Sequence, residues 1–154
     1  MGYTAAAAMK HLGPDGRVVV AELVPAVVAW NKGPLADLAG RPLENPRVTV
    51  REGDVAEILR TERAAYDAIL MDVDNGPEGI ALKSNNWLYS QAGLGAARTA
   101  LRPAGVLAIW SLSSDRAFTQ RLQETGFAVE EVHVRSRSAR KGARHTIWLA
   151  ERAT

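Results

Sequence analysis

At 154 residues, with 47 % hydrophobic and 23 % charged residues, the chain is long enough for one domain with a buried core, and its make-up excludes a disordered or fibrous protein. Nineteen Lys and Arg against seventeen Asp and Glu give a formal net charge of +2, too small to point to nucleic acid; the absence of cysteine excludes disulfides, thiolate metal sites and a cysteine nucleophile. No apolar run approaches the roughly 20 residues that span a bilayer, and the N-terminus lacks the build of a secretory signal, so a cytoplasmic protein with no membrane partner is expected.

Thr4 to Leu12 is Ala-rich and closes on the breaker cluster Gly13-Pro14-Asp15-Gly16, which predicts a short helix and a turn. Arg17 to Leu23 reads R-V-V-V-A-E-L, a β-branched run without alternation, as in a parallel strand covered on both faces. Pro25 suits a first helical position, so a helix is expected through Trp30, broken at Gly33-Pro34. A second short helix through Asp37 and Leu38 ends at Gly40, and Arg41 to Pro46 is a loop before a strand at Arg47 to Arg51. Asp54 followed by Glu57 has capping-box spacing into a helix containing Ile58 and Leu59.

Tyr66 to Val73 is another unbroken apolar strand with Asp72 near its end, and Asn75-Gly76-Pro77 is a turn or active-site loop. A helix is expected over Trp87 to Leu101, a turn at Pro103 to Gly105, a strand at Val106 to Trp110, and a helix from Asp115 to Thr125 closed by Gly126. Phe127 to Val134 and Thr146 to Ala150 pair as a hairpin. They are joined by a solvated basic loop in which Arg135, Arg137, Arg140, Lys141 and Arg144 fall within ten residues. Alternating strands and helices predict an α/β fold over residues 1–154 as a single domain. It is a Rossmann-like, doubly wound, mostly parallel sheet of the methyltransferase type, closed by a C-terminal antiparallel hairpin.

In such sheets ligands sit at the carboxyl ends of the strands, where Glu22, Asp54 and Asp72 fall. Glu22 can accept the hydroxyl hydrogens of a ribose, or serve as a capping or surface carboxylate. Counting back about 20 residues from it lands on Gly2, so Met1-Gly2-Tyr3-Thr4 reads as the tail of a glycine-rich loop, with the first central strand missing. Asp54 caps a helix and can also face an adenine amine. Asp72, helped by Asp74, can orient an attacking amine and take its proton, or bond to the following turn. His11, His133 and His145 lack metal-ligand spacing, so no metal is expected, and the four Trp are scattered as core or contact residues.

V-V-V-A-E-L-V-P at Val18 to Pro25, V-T-V-R-E-G-D-V at Val48 to Val55 and Y-D-A-I-L-M-D-V at Tyr66 to Val73 together resemble the spermidine synthase (aminopropyltransferase) family. L-Y-S at Leu88 to Ser90, L-R-P-A-G-V-L-A at Leu101 to Ala108 and R-H-T-I-W-L-A at Arg144 to Ala150 extend the resemblance to nearly the whole chain. The resemblance implies a polyamine-biosynthesis transferase moving an aminopropyl or methyl group from S-adenosylmethionine, or its decarboxylated form, to a small amine acceptor. It places Gly2 and Tyr3 beside the donor's tail, Glu22 with Leu23 on its ribose, Asp54 with Val55 at its adenine, and Asp72 in catalysis. The chain departs from the family in reading Asp72-Val73-Asp74-Asn75, without an aspartate three residues on, in carrying Val24 where an acid usually follows, and in lacking the family's N-terminal β domain and first strand.

Loss of a central strand leaves two neighbours with unpaired backbone groups, each costing roughly 1 to 3 kcal/mol if buried. The two are therefore expected to close on each other, or a second copy to fill the gap as a homodimer. The alternative function is a non-catalytic dimeric binding module derived from such an enzyme; nucleic-acid binding through the basic loop is the least favoured reading.

Overall fold

The computed structural model describes residues 2–72, 86–135 and 144–153, which belong to two units, Met1–Glu57 and Ile58–Thr154. In the first unit the alanine-rich opening folds as helix α1, Tyr3–His11, with Lys10 and His11 in its last turn, where cations complement the helix dipole. The turn behind it is tied down by Arg47, whose guanidinium donates to the carbonyls of Gly13 and Pro14 at 2.8 and 3.3 Å. Strand β1, Val18–Glu22, then runs parallel to β2, Val48–Glu52, in unbroken register from Val18 opposite Val48 to Glu22 opposite Glu52.

Between them lie α2, Pro25–Lys32, with proline in its first turn, and two short 3-10 segments, Ala36–Ala39 and Pro42–Glu44. The second replaces part of the expected loop because Arg41 braces it: its guanidinium bonds Asp37 at 2.7 Å and Glu44 at 2.6 Å. That hydrogen bond and the neighbouring charge hold the Asp37 carboxyl below its ordinary range. The buried apolar residues of this unit are mostly small: Ala5, Val28, Ala36, Val48 and Ala56.

The second unit carries a four-stranded sheet in the order β3-β4-β6-β5, from Tyr66–Met71, Leu101–Ser111, Arg144–Arg152 and Phe127–Arg135 respectively. β3 and β4 are parallel, and β6 is antiparallel to both β4 and β5, so the expected C-terminal hairpin forms. Helix α3, Val55–Thr61, spans the division between the units; α4, Gln91–Ala100, and α5, Arg116–Glu124, belong to the second. Trp148, Phe118, Leu122, Leu94, Leu101, Leu107 and Ile109 are fully buried, each worth roughly 1.5 to 3 kcal/mol. Phe118 meets Trp148 edge-on at 5.0 Å, and the indole N–H of Trp148 donates to Thr119 Oγ1 at 2.8 Å.

Two boundaries differ from expectation. Helix α4 starts at Gln91 rather than Trp87, because Ser90 Oγ accepts the Gly93 amide at 3.2 Å and donates to the Trp87 carbonyl at 2.6 Å, setting the cap there. Gly93 is required: a Cβ would lie 2.1 Å from the Trp87 carbonyl oxygen. The turn at Pro103 to Gly105 is absorbed into β4 as an excursion, since the register passes from Tyr66 opposite Leu101 to Ala68 opposite Val106, and Ala104 adopts φ 60°.

Among the described residues β1 pairs only with β2, and β3 only with β4. Within its own unit β1 is held by β2, α1 and α2. Val19 is 42 % exposed and Leu70 57 %, unlike side chains in strands flanked on both sides.

Candidate functional site

The residues expected to hold a nucleotide all lie in the first unit. Parallel pairing brings the carboxyl ends of β1 and β2 side by side, and the Gly53 amide locks them by donating to the Glu22 carbonyl at 2.9 Å. Glu22 is half-buried, and its Oε1 accepts the Val24 amide at 2.9 Å. Leu23 and Val24 are exposed beside it, an apolar shelf next to a carboxylate.

Asp54 takes the capping place predicted for it: its Oδ1 accepts the Ala56 amide at 2.8 Å and its carbonyl accepts the Glu57 amide at 3.0 Å. Val55 opens α3 and is half-buried. Glu52, directly opposite Glu22, was not anticipated as part of this rim; equal strand lengths in parallel register would have found it. Gly2 and Tyr3 are placed by other contacts. Gly2 caps α1 at φ 69°, its carbonyl accepts the Ala6 amide at 2.9 Å, and a Cβ on it would sit 3.0 Å from Pro42.

Asp72 follows Met71 directly at the carboxyl end of β3, beside the end of β4, in the second unit. The strand before it was expected to be buried on both faces. Instead Asp67, Ala68 and Leu70 are exposed and Asp72 is exposed too; among the described residues β3 pairs only with β4. Asp74 and the Asn75-Gly76-Pro77 turn lie outside the described residues.

The basic segment is not all loop. Arg135 ends β5 and Arg144 begins β6, directly opposite each other, while Arg137, Arg140 and Lys141 lie outside the described residues. His133 Nδ1 lies 3.3 Å from Thr146 Oγ1, and His145 packs against the Trp110 ring at 5.0 Å. Trp148 is core, and Trp87 carries the Arg60 guanidinium over its ring at 4.0 Å. Among the described residues no group of three His, Asp or Glu is arranged to hold a metal ion, and no helix is long and apolar enough to cross a membrane.

No protein-family model matches the chain, and no curated protein matches it in sequence. Solved structures do match. A spermidine synthase in complex with the transition-state analogue AdoDATO superposes with a TM-score of 0.73 at 16 % identity, covering 99 % of this chain and 50 % of that one. Spermidine synthase from Thermotoga maritima gives 0.74 at 15 % identity over the same shares. Precorrin-6y C5,15-methyltransferase from Geobacter metallireducens GS-15 gives 0.60 at 19 % identity, covering 92 % of this chain and 70 % of that one. The chain thus has the Rossmann-like methyltransferase fold, and it spans half the length of the two spermidine synthase structures.

Proposed function

We propose that this chain is the nucleotide-binding part of a cytoplasmic transferase that moves an aminopropyl or methyl group from S-adenosylmethionine, or its decarboxylated form, to a small amine acceptor. One observation carries the reading: in a fold shared with enzymes of that kind, Glu22 is the last residue of parallel strand β1, and Asp54 and Asp72 come just after the carboxyl ends of β2 and β3. The residues present fit such a donor. The Glu22 carboxylate can accept from ribose hydroxyls, the exposed Leu23 and Val24 offer apolar cover, and the carboxylates of Glu22, Glu52 and Asp54 suit a ligand with a cationic sulfonium.

The bound donor supplies an already activated carbon, so no covalent enzyme intermediate is needed. The chain's own task is to position the acceptor and handle its proton. Asp72, with Asp74, holds the attacking amine by hydrogen bonding and takes up its proton as the new carbon–nitrogen bond forms and the donor's carbon–sulfur bond breaks, its electron pair leaving with the neutral thioether.

Calorimetry tests this. Micromolar binding of S-adenosylmethionine or methylthioadenosine is expected, lost in Glu22→Ala, whereas Asp72→Asn keeps binding and loses transfer. No binding at millimolar ligand would overturn the enzyme reading.

A second reading, a non-catalytic dimeric interaction module, is favoured by β1 and β3, each paired with one strand among the described residues, which lack the charges and prolines that usually block strand addition along most of their length. It expects a dimer in sedimentation that dissociates in Leu70→Lys.

A further inference from the structure

The transferase reading leaves the two arginines of the hairpin without a task. Arg135 stands directly opposite Arg144 in the β5–β6 ladder, and His133 opposite Thr146. Like charges directly opposite one another on antiparallel strands repel. None of the ion pairs among the described residues involves either guanidinium. By the two-residue period of a strand, these four side chains share the sheet face that carries Trp148 and Glu131 further along.

Beyond the amino end of α5 that face opens into a cleft of about 540 Å3, with Ser114, His133, Arg135, Arg144 and Thr146 in its lining. The neighbouring acids are turned to other work. Asp115 Oδ1 accepts the amides of Ala117 and Phe118 at 2.8 and 3.1 Å, capping α5, and Glu131 is bonded by the Thr119 hydroxyl. Among the described residues the cleft therefore gathers two guanidiniums, an imidazole and hydroxyls without a carboxylate in its lining.

We propose that this cleft binds a small molecule through a phosphate-type oxyanion. Guanidinium groups bond such oxyanions in pairs of parallel hydrogen bonds, and an anion between Arg135 and Arg144 converts their repulsion into joint attraction. The volume falls within the roughly 300 to 1,000 Å3 of small-molecule sites. A nucleic-acid strand is disfavoured because no aromatic ring lines the cleft to stack a base. The site lies wholly within the second unit and does not depend on donor binding.

Titration of the whole chain with inorganic phosphate at low ionic strength tests the proposal. Saturable one-to-one binding is expected, about tenfold weaker in Arg135→Gln or Arg144→Gln through loss of a charge-assisted hydrogen bond, and unchanged in Arg17→Gln, an exposed cation of the first unit that is not in the cleft's lining. In thermal melts without phosphate, Arg144→Gln should raise Tm by removing the repulsion, and a given phosphate concentration should then raise it less than in the unaltered chain. Unchanged affinity in both hairpin variants, equal weakening in Arg17→Gln, or displacement of phosphate by a short single-stranded oligonucleotide with steep salt dependence would each overturn it. Donor binding lost on Glu22→Ala is read separately, so failure of one proposal is distinguishable from failure of the other.

Discussion

Strands β1 and β4 begin from similar sequence, V-V-V-A-E and V-L-A-I-W, yet their surroundings separate them. β4 lies between β3 and β6, and its Leu107 and Ile109 are wholly buried; among the described residues β1 pairs with β2 alone, and none of its five residues is fully buried. An apolar, β-branched run specifies extended backbone. Burial is conferred by what flanks the strand on both edges and covers both faces. The same contrast runs through the two units: the first packs alanines and valines between short helices, the second packs Trp148, Phe118, five fully buried leucines and one fully buried isoleucine.

Truncation should expose that difference most strongly. Trp148→Ala is expected to cost about 3 to 5 kcal/mol in denaturant unfolding, against about 1.6 kcal/mol for Val28→Ala in the first unit, which loses two buried carbons. Equal losses at the two positions would break the comparison. Thr119→Val should follow, at roughly 1 to 3 kcal/mol, because it leaves the buried Trp148 indole N–H without its acceptor; a neutral result would mean that packing alone holds the indole.

Smaller still is the loss of a cap. Asp54→Ala should cost about 1 kcal/mol, while Asp54→Asn keeps an oxygen for the Ala56 amide and should cost little. Comparing donor affinity in the two variants separates the capping carboxylate from a ligand-binding one: weak binding in the stable Asn variant assigns the charge to the donor. The smallest effect belongs to Asp37. Its carboxyl is held below the ordinary range by the hydrogen bond and then the charge of Arg41, so the pair's contribution is present above the ordinary carboxylate range and fades as pH falls through the lowered value. Both side chains are exposed and screened, so thermal melts of Asp37→Asn should differ only slightly from wild type near neutral pH, and not at all in strong acid.

Much of this could be read before the fold was known, for local reasons. The Pro25 helix start, the Gly40 and Gly126 stops, the Asp54 cap and the closing hairpin follow from backbone chemistry within a few residues. Readings that depended on distant chain segments fared less evenly. β3 and Asp72 are exposed where a covered strand was expected, Glu52 joins Glu22 only through interstrand register, and two arginines assigned to a loop prove to be opposed strand residues.

The order of strands and helices, their punctuation and the α/β class were determined by the sequence itself, because propensity, capping and apolar runs act over one element at a time. Which strands have two neighbours, which carboxylates share a rim and which cations face each other across a ladder were decided by the tertiary structure alone. Those relations join residues far apart in the chain, and no local pattern encodes the geometry that brings them together.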